Sequence, residues 1–280
     1  MLLCLLGAIR WMLSDAMPGS ASTLFSLTVG SASAFLVVLT CATLRGGYRI
    51  GTKDATRAGL SGAMLVGGPF VPLLFGIRSL EPASLTMALA LTAVVVAVAR
   101  PAFRPMGSAE VAGRLWPGIA AVAGLLLLLP VPPLDNLAND CALVAAPLLT
   151  GVGAMWFRSI AVPKLLRALL GLFAATLAFA ASGMVQHALH RPTVREAWLA
   201  ATLDGALVLL TVLALLRIGG TRWSAQFVLV PLVIVLEGLT MIRVRPDPRM
   251  MAGVLVLVFA AVFLLLPPAA QSEGEVSILS

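Results

Sequence analysis

Residues 250–266 read MMAGVLVLVFAAVFLLL, seventeen positions without a charge. A helix of that length rises about 25 Å, within the range that crosses the hydrocarbon core of a bilayer. The core helix of a soluble protein can look the same, so the rest of the chain decides. Its 280 residues are 60% hydrophobic and 11% charged, with a mean hydropathy of +1.03. A soluble domain carries roughly 25% charge to cover its surface with polar groups. With so little charge, most of this surface must face hydrocarbon.

Working outward, nine more apolar stretches of similar kind stand between charges and Pro/Gly punctuation. They cover 1–13, 18–44, 59–77, 83–99 and 113–131, then, after a Pro-rich break at 130–134, 139–157, 165–186, 196–216 and 223–242. The expectation is an all-α integral membrane protein of about ten transmembrane helices. The first stretch is short, rising only about 20 Å. Either it borrows residues 14–17 or its span begins upstream of Met1.

The net charge of +7 and pI of 10.6 would point to nucleic acid in a soluble chain. In a membrane protein Lys and Arg collect in cytoplasmic loops instead, so no nucleic-acid partner is expected. With the N-terminus inside, twelve Lys and Arg fall in cytoplasmic loops and seven outside. Both termini are therefore expected in the cytoplasm of a bacterial-type inner membrane. The last hairpin runs against the trend, with Arg243, Arg245 and Arg249 outside. Cys4, Cys41 and Cys141 are scattered and suggest neither a disulfide framework nor a metal site.

The two halves look related. Residues 112–130 (AGRLWPGIAAVAGLLLLLP) and 249–267 (RMMAGVLVLVFAAVFLLLP) end their halves with the same apolar run into proline, and 84–97 lies over 224–237 without gaps. Five spans per half is odd, so the second copy would be inverted in the membrane, a recurrent plan of secondary transporters. The expected organisation is one five-helix repeat at 1–134, a second at 135–270 and a cytoplasmic tail at 271–280.

The closing third carries a family resemblance. Residues 215–239 (LLRIGGTRWSAQFVLVPLVIVLEGL), a short polar turn and the Gly-bearing last span resemble the end of EamA-type proteins of the drug/metabolite transporter superfamily. Pro231 and Gly253 occupy the places of that family's mid-helix proline and last-span glycine. Residues 146–163 (APLLTGVGAMWFRSIAVP) resemble its sixth span, and 75–103 its passage from third to fourth. Two features depart: Leu91 stands where the fourth span usually has proline, and the Gly-Glu closing the fourth and ninth spans is missing. The resemblance implies two inverted five-helix repeats and secondary transport of small metabolites, with Pro231 and Gly238 as hinge or packing positions. Fold alone names no cargo.

A charge inside the bilayer costs roughly 2.5–3.5 kcal/mol on insertion scales and so needs a reason to be there. Asp204 and Glu237 qualify, and Arg10, beside Trp11, reaches a similar depth. One alternative is a carboxylate that binds a cationic group or a coupling proton, in which case Glu237, Asp204, Arg10 and Trp11 form the substrate- or proton-binding set. The other is a fixed Arg10–Asp204 or Arg10–Glu237 ion pair locking helices together. His187 and His190 read as interfacial histidines rather than metal ligands. The five tryptophans, Trp11, Trp116, Trp156, Trp198 and Trp223, read as a belt near helix ends. Runs of Gly, Ala and Ser at 30–34, 59–63 and 174–182 read as close-packing surfaces, with Ser26, Thr28, Ser31 and Ser33 as candidates to line a polar path.

No phosphate-binding loop, nucleophile elbow or paired metal ligands stand in the sequence, so neither cofactor nor enzymatic activity is expected. The leading expectation is a secondary transporter, an exporter of small organic metabolites working by alternating access, with proton coupling as one option. A non-transporting accessory subunit of a membrane complex and a lipid-linked transferase are the alternatives. The partners expected are a small-molecule substrate and the lipid bilayer, and a homodimer is left open.

Overall fold

The structure is a computed structural model and describes residues 20–46, 50–77, 82–103, 108–129, 136–186, 194–241 and 247–266. All regular structure in these residues is helical. In chain order the helices are α1 (Ser20–Arg45), α2 (Thr52–Gly67), a 3-10 turn (Gly68–Phe70), α3 (Val71–Leu74), α4 (Pro82–Phe103) and α5 (Ser108–Leu128). There follow α6 (Leu137–Ser159), α7 (Lys164–Val185), α8 (Val194–Ile218), α9 (Gly220–Ser224), α10 (Gln226–Met241) and α11 (Pro248–Leu265).

Among the described residues eight helices are long and apolar enough to cross a membrane, Thr52–Leu74 being counted as one through its 3-10 turn. Gly220–Leu236 is a shorter apolar helix. Nine of the ten stretches picked out in the sequence therefore coincide with helical segments; the first, 1–13, lies outside the described residues. Where boundaries differ, charge is the cause. The helix expected from residue 59 starts at Thr52, because Lys53, Asp54 and Arg57 occupy its exposed first turns. Hydropathy marks the apolar part of a helix, and these turns extend beyond it.

Two of the segments are broken. Gly68-Pro69-Phe70 interrupts the α2–α3 span, and a turn at Ala225 separates α9 from α10. Proline also lies inside intact helices at Pro101, Pro117, Pro147 and Pro231. Membrane helices tolerate it where neighbouring groups satisfy the freed carbonyls. The broken span also ends on a neighbouring helix, which supplies donors to the carbonyls of its last turn. Gln186 Nε2, just past α7, donates to the Leu73 and Leu74 carbonyls at 2.9 and 3.0 Å, and Ser182 Oγ donates to Leu74 O at 2.8 Å.

Two main cores form, each with helices from both halves of the chain. The larger joins α1, α2, α6, α7 and α8 around Leu24, Leu27, Leu65, Phe157, Leu172, Phe179 and Leu215, with Trp223 of α9. The second joins α4, α5, α10 and α11 around Ala90, Ala93, Leu125, Val228 and Leu257. Seams between helices are built on glycine. A Cβ placed on Gly30 of α1 would stand 2.7 Å from Ala201 O and Gly205 N of α8. Gly62 of α2 lies against Gly171 of α7, and a Cβ on Gly253 of α11 would stand 2.9 Å from Gly124 O of α5. Lipid gives no hydrophobic drive between helices, so close van der Waals packing of this kind holds them together.

Candidate functional site

Intramembrane charge is the feature lipid does not explain, so the site is built from Asp204. It lies six residues into the Trp198–Ile218 span, about 9 Å from one end and about 21 Å from the other. Its exposure is 3%. The carboxylate is held across the α1–α8 seam, where Ser26 Oγ donates to Asp204 Oδ2 at 2.6 Å. That hydroxyl also lies 3.0 Å from the carbonyl oxygen of Thr23, one turn back. Ser26 is 1% exposed and is not the sole partner of Asp204.

The seam explains why this bond exists. Gly30 follows Ser26 by one helical turn, and Gly205 follows Asp204 in sequence. Their backbones meet, and the absence of both side chains lets α1 and α8 approach until a short serine spans the gap. The other hydroxyls of α1 expected to line a path behave differently. Thr28 bonds Leu24 O, Ser31 bonds Leu27 O and Ser33 bonds Gly30 O, all within their own helix. Of the four only Ser26 hydrogen-bonds to another helix.

The remaining expected site residues are distributed as follows. Arg10 and Trp11 lie outside the described residues. Glu237 and Gly238 belong to α10, but their side chains lie outside the described set. Pro231 is buried inside α10, five residues after Gln226 opens the helix. Asp204 is thus the site residue whose surroundings are defined. His187 and His190 also fall outside the described residues.

Trp223 corrects the belt reading. It is 1% exposed, donates from Nε1 to Thr211 O at 3.1 Å and stands edge-on to Phe227. The short α9 turns the indole inward, so proximity to a helix end does not bring it to the interface. Trp116 and Trp198 are exposed, as a belt requires.

A second buried charge was missed in the sequence. Arg167, counted there as a loop cation, is 8% exposed. Its Nη1 donates to Phe157 O and Arg158 O at 2.9 and 2.8 Å, and its Nη2 to Val162 O at 2.8 Å. The guanidinium also stands 5.9 Å from the Phe157 ring centroid. These carbonyls close α6 and the turn into α7, so Arg167 caps the negative end of a helix dipole. Its role is structural. The signal was present in the spacing: an arginine three residues into a helix that follows a tight turn can fold back over the preceding helix end.

Nine basic groups share one face. Arg45 ends α1, Lys53 and Arg57 begin α2, Arg100 ends α4, Arg158 ends α6, Lys164 and Arg167 begin α7, and Arg217 and Arg222 flank the α8–α9 turn. Contacts tie these ends together: Arg100 Nη1 donates to Thr221 Oγ1 at 3.1 Å, and a Cβ on Gly219 would stand 2.8 Å from Arg158 Nη1. Gln186 on Leu73–Leu74 and Arg249 on Leu126 O mark the opposite face. Asp204 lies in the half nearer that opposite face.

No family model matches the chain, and no curated protein matches it. A solved structure described only as the crystal structure of a protein is similar over 94% of this chain and 94% of its own, at 21% identity and a TM-score of 0.62. A likeness at that identity speaks for the fold alone.

Proposed function

We propose that the chain is a secondary transporter of small organic solutes, working by alternating access between two inverted five-helix repeats. The observation that carries this proposal is Asp204, a carboxylate buried within a membrane-length helix and bonded by Ser26 across a glycine seam. Intramembrane acids of this kind mark substrate and ion pathways. In this role Asp204 binds a coupling cation, a proton or a cationic group of the solute, and Ser26 orients it. Glu237, Arg10 and Trp11 complete the proposed set, with Pro231 and Gly238 as hinge positions.

Helix pairing supports the repeat. Exchanging each helix for the one five spans on swaps α1 with α7, α2–α3 with α8, α4 with α9–α10, and α5 with α11. The α1–α8 seam then becomes α7–α2, and both are glycine crossings, Gly30 on Gly205 and Gly171 on Gly62. The α1–α7 and α5–α11 pairs map onto themselves, and α4–α5 maps onto α10–α11; all are neighbours. Such a plan agrees with the resemblance to EamA-type transporters. By the positive-inside rule the basic face is cytoplasmic; a bacterial-type inner membrane and cytoplasmic termini belong to the same proposal.

The test is solute counterflow with purified protein in liposomes, across a panel of amino acids, amines and organic acids under proton and solute gradients. Exchange of at least one class is expected. Folded protein that moves none of them under any gradient would sink the proposal.

A further inference from the structure

Hydroxyls on membrane helices have a standing way to satisfy themselves, by bonding the carbonyl one turn back. Thr28, Ser31, Ser61, Thr150 and Thr176 all do so. Thr92 of α4 does not. It is 0% exposed, and its hydroxyl has no hydrogen-bond partner. Gln226, the first residue of α10, is alike: it is 9% exposed, and its Nε2 is buried without a partner. Orphaned polar groups are uncommon in folded proteins and costly where no water can reach them. Two of them on neighbouring helices call for a ligand.

The two groups are at nearly one depth. A Cβ on Gly220 would stand 3.5 Å from Val96 Cγ1, which sets residue 96 of α4 level with residue 220. α4 runs toward the basic face and α9–α10 away from it, and α4 packs on both. Thr92, four residues back, is then about 6 Å deeper, and Gln226, six residues on, about 9 Å deeper. Thr92 also borders α6, since a Cβ on Gly151 would stand 3.5 Å from its carbonyl oxygen. It therefore sits where the two cores meet, near the middle of the Ser84–Phe103 span.

We infer that Thr92 and Gln226 form a second polar station of the transport route, nearer the basic face than Asp204 is, opened when the two cores part. An amide N–H and a hydroxyl both donate, so the station takes a hydrogen-bond acceptor of the solute, a carboxylate or carbonyl oxygen. Asp204, an acid, takes the cationic end nearer the opposite face. The station rests on the transporter reading, so its test needs no transported solute.

The experiment is cysteine accessibility in lipid nanodiscs, with Cys4, Cys41 and Cys141 replaced by alanine. Thr92→Cys and Gln226→Cys are treated with sulfonatoethyl methanethiosulfonate, a membrane-impermeant thiol reagent that itself carries an acceptor. Ala90→Cys and Ala93→Cys, sealed in the second core, are the controls. Both replacements are no larger than the native residues, and monodisperse elution checks folding. Both station cysteines should react at least about tenfold faster than the controls, because a route state is populated far more than local unfolding. If either reacts at the control rate, the station is wrong, even where counterflow succeeds. Reactive cysteines in a chain that moves no solute would instead remove the transporter reading.

Discussion

The α1–α8 seam makes a quantitative prediction through Gly30→Ala. The added Cβ meets backbone on the partner helix, Ala201 O and Gly205 N at 2.7 Å and Asp204 C at 3.1 Å, and backbone cannot swing aside. Ordinary contact begins at 3.4 Å, so the helices must part by about 0.7 Å. Ser26 is one turn away on the same seam, so its 2.6 Å bond to Asp204 lengthens toward about 3.3 Å, beyond O–H···O range. Overpacking costs typically about 1–3 kcal/mol, and the lost bond adds about 1 kcal/mol. Higher helix propensity returns at most about 1 kcal/mol. The net is a loss of about 1–3 kcal/mol. Gly113→Ala is the control, because nothing lies within 4 Å of its Cβ. Thermal unfolding in detergent should show Gly30→Ala melting several degrees below wild type and Gly113→Ala at or slightly above it. Equal melting of the two variants would refute the seam.

Three further outcomes follow from particular contacts. Arg167→Gln should lose about 3 kcal/mol by stranding the carbonyls that close α6, and Arg167→Lys should not restore it, since an ammonium lacks the planar fork that reaches three carbonyls; melting of both variants checks this. Gln186→Leu should speed amide exchange at residues 74–77 without affecting α11, because it removes the Gln186 donor from the Leu73 and Leu74 carbonyls; exchange confined to other segments would contradict it. Trp223→Phe should destabilise the larger core through the lost bond to Thr211 O, whereas Trp198→Phe, on an exposed side chain, should change melting little.

The spans were legible because lipid imposes a length and a composition on each helix independently of its neighbours. Residues 250–266 announce a helix whether or not α5 is known. The breaks were only half legible: Pro231 was visible and lies within a continuous α10, whereas Gly68-Pro69-Phe70 and Ala225 interrupt their segments. Whether a proline breaks a membrane helix depends on what satisfies the carbonyls it frees, and that is decided by neighbouring helices rather than by the proline's own segment. Asp204 stood out as a charge in an apolar run. Ser26 did not stand out as its partner, because the two are 178 residues apart and a serine in such a run is ordinarily content with its own backbone. Arg167 was misassigned for a related reason: a cation at a helix start counts as topology until a preceding helix is seen to end beneath it. Thr92 carries no sequence signal, since an orphaned hydroxyl is defined by what fails to surround it.

The central claim is that Asp204 works rather than merely fastens α8 to α1. It is tested by counterflow in proteoliposomes comparing wild type with Asp204→Asn, an isosteric change that keeps an acceptor for Ser26. Asp204→Asn is predicted to melt close to wild type and to exchange solute at least about tenfold more slowly, the loss of a charge interaction of about 1.4 kcal/mol or more. Wild-type exchange from a stably folded Asp204→Asn protein would contradict it and leave Asp204 a structural tie.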